Sequence, residues 1–70
     1  MMPLNFAQVG EENIIRKVGG SPQVRQHLET LGFVPGTGII LVSKIGGNVI
    51  VNVKESRVAI SDQMAAKIMI

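Results

Sequence analysis

Cysteine, tryptophan and tyrosine are all absent from this 70-residue chain, and Phe6 and Phe33 are its only aromatics. Without cysteine there is no disulfide framework and no thiolate metal site, so stability has to come from aliphatic packing. The same absence fits a reducing compartment. Two aromatics do not make the stacking platform on which single-strand nucleic-acid binders lay their bases, which counts against that role. No apolar run approaches the roughly 20 residues that cross a bilayer as a helix, and the chain opens with no basic-plus-apolar leader. The cytoplasm is therefore the expected compartment. Dense charge is missing too: the seven basic residues behind the net charge of +2 are scattered along the sequence. No cluster announces a polyanionic partner.

What the chain has is aliphatic side chains, 46% hydrophobic residues in all, and one stretch whose ends are both marked. Seventy residues make a single domain, 1–70, of a size that buries only about 60% of its unfolded surface. Within it, Ser21 suits a helix N-cap and Pro22 the first helical position. Val24, Leu28 and Leu31 follow at i, i+4 and i+7 as a narrow apolar stripe. The pattern predicts a helix over about 22–31. Gly32 suits the left-handed residue after a helix, with Phe33 folding back on Leu28 as in a Schellman ending. Val34-Pro35-Gly36-Thr37 then has the residues of a type II turn.

The remainder reads as short strands. Met1 to Gly10 is expected to be a short extended arm or edge, followed by a turn over Val9 to Glu12 and a first main strand over Asn13 to Val18. Gly38 to Ile45 is a second strand, Gly46-Gly47-Asn48 a hairpin loop, and Val49 to Lys54 a third strand whose odd-numbered valines face inward. Glu55-Ser56 is a connection to Arg57–Ile60, Ser61 and Asp62 open a short helix over about 62–66, and Ile68 to Ile70 close the sheet. Short strands, tight turns and one inserted helix without a βαβ rhythm predict a mainly β fold, a small SH3-like antiparallel barrel.

Chemistry has little to build on. His27 is the only histidine, and iron sites draw on clusters of imidazole and carboxylate; it reads as a solvated helix residue. Glu11 and Glu12 are neighbours on a turn, where side chains seldom converge on one cation. No metal site, no cofactor and no catalytic residue is predicted, because no serine, threonine or lysine is paired by motif with a base. Gly46-Gly47 lacks the Lys-Ser/Thr and helix of a phosphate loop. Met64 and Met69 read as filling of a small core. Surface shape remains as the source of function: the candidate contact residues are Phe33, Val34 and Pro35 at an apolar loop tip, with Arg25 on the helix and Arg57 on a strand, while Gly32, Pro35 and Gly36 set the turn.

The run Arg25-Gln26-His27-Leu28-Glu29-Thr30-Leu31-Gly32-Phe33-Val34-Pro35-Gly36 resembles the R-x-x-L-x-x-L-G-F/M-x-P-G signature of the FeoA family, the small cytosolic proteins of bacterial ferrous iron uptake. The leading Pro-Leu, the Gly-Gly before the helix, the hairpin and the closing R-V-A-I…A-x-x-I-x-I extend the likeness over nearly the whole chain. The resemblance implies an SH3-like barrel, no enzymatic activity, and an accessory module that acts on the cytosolic region of the membrane GTPase transporter FeoB, peripheral to the membrane only through that partner. A related domain closes some iron-dependent repressors, so a regulatory or nucleic-acid-binding module is the alternative. Two features depart from many relatives: the hairpin Ile45-Gly46-Gly47-Asn48 is short, and Ser61 stands where a basic residue is common.

Overall fold

The computed structural model describes residues 1–70. Six strands and two α-helices follow one another as β1 (Glu12–Ile14), β2 (Lys17–Val18), α1 (Pro22–Thr30), β3 (Gly38–Ile45), β4 (Asn48–Val53), β5 (Ser56–Ser61), α2 (Asp62–Ala65) and β6 (Ile68–Met69). The fold is mainly β, as the residue pattern predicts. One sheet has the order β1-β3-β4-β5 and a second pairs β2 with β6, every neighbour antiparallel.

The expected single strand over Asn13 to Val18 is two strands in two sheets. Ile15, only 1% exposed, is the corner: its N–H donates to the Thr37 carbonyl at 2.9 Å and its carbonyl accepts from Gly36 at 2.7 Å, while the Arg16 N–H already reaches Met69 on the other sheet at 2.7 Å. Curling a short sheet onto itself requires a strand to change partners in this way. The chain start is in part the expected edge, Pro3 bridging antiparallel to Met69, and in part not extended. Leu4–Phe6 form a 3-10 turn that buries Leu4 completely, and Met2 and Ile70 exchange backbone hydrogen bonds of 3.0 and 2.8 Å.

Helix α1 starts and stops on the residues that mark it. The Ser21 hydroxyl accepts from the Val24 N–H at 3.3 Å with Pro22 in the first turn. At the other end Gly32 donates to the Glu29 carbonyl at 2.9 Å and Phe33 to the Leu28 carbonyl at 3.0 Å, the two bonds of a Schellman motif. Leu31 is the cap residue and not the last helical one. The next turn closes with Thr37 N–H on the Val34 carbonyl at 3.1 Å, and Gly36 sits at φ +91°, as a type II turn demands.

Two hairpins complete the larger sheet, and both are tighter than the composition suggests. Ile45 pairs with Asn48, so only Gly46-Gly47 turn and Asn48 belongs to β4. Val53 pairs with Ser56, which makes Lys54 and Glu55 the turn and starts β5 at Ser56, one residue before its expected beginning. Lys54 and Glu55 take φ of +48° and +64°, the left-handed values of a type I′ turn that asparagine and glycine adopt with least strain. Glu55→Gly is therefore expected to raise stability by roughly 0.5–1 kcal/mol, readable as a thermal midpoint a few degrees higher by circular dichroism. A midpoint at or below wild type would show that the turn carries no strain. The inward set of β4 is the odd one: Val49, Val51 and Val53 are 0–1% exposed and join Leu28, Phe33, Ile39, Leu41 and Ile68 in one core.

Candidate partner-binding surface

The turn after α1 is where the fold holds a rigid, exposed feature. Its backbone is clamped from within by Thr37 on Val34 and from outside by the two Ile15 bonds, so Pro35 and Gly36 stand in solvent on a fixed frame while Val34 is half-buried. Phe33 does not stand there. It is fully buried, because the Schellman geometry that reverses the chain also swings the side chain after Gly32 back over the helix and into the core. Phe33 is thus a structural closure and leaves the contact surface, which corrects the expectation placed on it. The exposed aromatic is instead Phe6, 69% exposed in the segment before β1, with Val9 at 58%.

Arg25 is exposed on α1 and Arg57 on β5, where its Nε donates to Asn52 Oδ1 at 3.2 Å across the ladder. That bond holds the guanidinium over the outer face of the sheet and leaves its terminal nitrogens free. Between the helix end and this strand the fold brings a residue that sequence reasoning left out. A Cβ built on Gly32 would lie 3.6 Å from Lys54 Cδ, so the Lys54 stem runs across the end of α1 toward the rim of the barrel. Arg16 is a second omission, exposed directly after Ile15 and thus beside the Pro35-Gly36 turn. Neither was visible beforehand, since Lys54 depends on which residues form the turn and Arg16 on where the strand breaks. His27 is exposed on α1 and Glu11 and Glu12 are exposed before and within β1; no three histidine or acidic side chains gather into a cluster that could hold a metal ion. No helix is long and apolar enough to cross a membrane.

The FeoA domain model matches residues 2–70. The chain belongs to the FeoA family. A protein of Methanocaldococcus jannaschii provisionally named Fe(2+) transport protein A is similar to it, 36% identical over 70 residues that are all of this chain and 85% of that one. Among solved structures, the crystal structure of an iron uptake regulatory protein, FeoA, superposes with a TM-score of 0.88 at 29% identity, covering 97% of this chain and 90% of the other. The Stenotrophomonas maltophilia FeoA, a prokaryotic SH3 domain protein solved with zinc, gives 0.85 at 23% identity over 99% of this chain and 88% of its own. The SH3-like barrel of the FeoA domain is thereby the fold of this chain, and ferrous iron transport is the system its family serves.

Proposed function

We propose that this FeoA domain is a cytosolic adaptor that docks on the cytosolic region of the ferrous iron transporter FeoB and modulates its nucleotide cycle or gating, without chemistry of its own. The observation that carries the reading is the match to the FeoA domain over essentially the entire chain. The clamped turn supports it, because a surface pre-organised by three backbone bonds loses little entropy on binding. In this reading Pro35 and the exposed part of Val34 form the apolar centre of the contact, and the exposed Arg25 and Arg57 contribute as hydrogen-bonding charges.

The test is an NMR titration of isotope-labelled protein with the transporter's soluble domain. Pro35→Asp is the cleaner probe than a change at Val34, since Pro35 is exposed and Val34 is half-buried. Its melting point should stay within a few degrees of wild type, the loss of a pre-set φ costing about 0.4–1 kcal/mol. Affinity for the domain should fall at least tenfold, and raising the salt should leave wild-type binding largely intact, unlike phosphate-driven binding to duplex DNA or RNA. Equal binding by Pro35→Asp and wild type would remove the turn from the interface. Salt-sensitive binding to nucleic acid in place of the domain would reverse the functional reading itself.

A further inference from the structure

β5 is an edge of the four-stranded sheet. The Lys54-Glu55 turn makes Val53 and Ser56 the closing pair, and closing pairs of two-residue turns exchange hydrogen bonds. Alternation then assigns the bonded pairs of β4 and β5 to Val51 with Val58 and Val49 with Ile60, and turns the N–H and C=O of Arg57 and Ala59 away from β4. Two other bonds fix the same phase: Asp62 N–H donates to the Gly47 carbonyl and Gly10 N–H to the Leu41 carbonyl, each at 2.9 Å. Apart from the ladder to β4, no backbone hydrogen bond uses Arg57 or Ala59. The strand Ser-Arg-Val-Ala-Ile-Ser contains no proline and no lysine, and its pairing with β4 runs without a register shift, so the single charge of Arg57 is the one edge-blunting device on it.

We propose that this edge pairs with β5 of a second copy, antiparallel about a two-fold axis through Val58. In that register Arg57 of each copy exchanges hydrogen bonds with Ala59 of the other, so all the outward backbone groups of both residues are satisfied. The charges agree with it. Arginine faces alanine instead of arginine, and Lys54 at the turn comes opposite Asp62 of the second copy. A register centred on Arg57 would oppose like charges, and one centred on Ala59 would bring Asp62 opposite Ser56 and leave Lys54 without an opposite charge. On the inner face, Val58 is half-buried although its partner Val51 is fully buried, and pairing covers the remainder against Val58 of the other copy. The contact is short, so the dimer forms at high concentration and dissociates on dilution.

Sedimentation velocity over a hundredfold range up to about millimolar protein tests it, as interfaces of this small size demand. The wild-type mass should climb from one copy toward two. Ala59→Pro removes only an outward N–H, at an edge position that tolerates proline, and should stay at one copy with its melting point within a few degrees of wild type. Should that variant fail to fold, Ala59→Lys keeps the backbone and sets lysine against Arg57, weakening association about tenfold. The register has its own readout in a chain without cysteine. Val58→Cys places two thiols at a non-bonded pair, where Cα atoms lie about 4.5 Å apart, within disulfide reach, and should cross-link under mild oxidation. Arg57→Cys faces Ala59 and should not. A wild type monomeric throughout, equal association by Ala59→Pro, or cross-linking through position 57 in preference to 58 would each overturn the proposal. None of these results bears on whether the Pro35 turn binds the transporter.

Discussion

Leu28→Ala should lower the unfolding midpoint by roughly 10–30 °C, taking about 4–8 °C per kcal/mol for a domain of this size. Leu28 is fully buried on the only long helix, and truncating such a leucine costs about 2–5 kcal/mol, against a total of about 4–10 kcal/mol for a chain this short. Its carbonyl also accepts the Phe33 N–H, so the side chain lost from the core stands at the residue that anchors the helix end. Few neighbours can collapse into the space, because the surrounding valines and isoleucines are held in the sheets. Val24→Ala, one turn earlier and only half-buried, serves as the comparison and should shift the midpoint by a few degrees at most. Circular dichroism melts of the two variants beside wild type decide it. Similar midpoints for both would mean that the helix lies on the core without being anchored by Leu28.

The helix and its two turns were legible because their signals are local. Ser21-Pro22, the 24-28-31 stripe and Gly32 each act within a few residues, and the structure uses all of them. The inward face of β4 was legible for the same reason, since a period of two needs no partner to be read. The corner at Ile15 was not legible. Nothing in Asn-Ile-Ile-Arg-Lys-Val marks a break, and the residues that impose it, Thr37, Gly36 and Met69, lie far along the chain. The Lys54-Glu55 turn was hidden in the opposite way, because neither residue is one that a left-handed turn prefers, and pairing of the flanking strands overrides their propensity. Phe33 shows how a correct local reading can still yield a wrong surface. The Schellman ending was expected and is present, and its known contact is the reason the phenylalanine is buried and not displayed.

Gly32→Val should be the more damaging of the two glycine changes at the helix exit, costing on the order of 2–3 kcal/mol as strain at a residue that must keep a positive φ. Gly32 sits at φ +105° and Gly36 at +91°, so backbone conformation alone penalises a side chain at either place. Their surroundings differ. Gly36 has nothing within 4 Å of a built Cβ, whereas at Gly32 that atom already touches Lys54 and Val53 side chains at 3.6–3.8 Å. The branches of valine would press further into Val53, a core residue, and into the stem of Lys54. The two hydrogen bonds that end α1 depend on the same left-handed residue, so relaxing φ would release Phe33 from the core. Gly36→Val strains only an exposed turn and should cost about 1–2 kcal/mol. Asparagine separates backbone from packing, because it tolerates left-handed geometry without a branched Cβ: Gly32→Asn should recover part of the loss, giving midpoints in the order wild type, Asn, Val. Chemical denaturation with the slope held in common would measure each step. If Gly32→Val were no worse than Gly36→Val, the contact with Val53 and Lys54 would carry no weight, and the helix exit would be held by the turn alone.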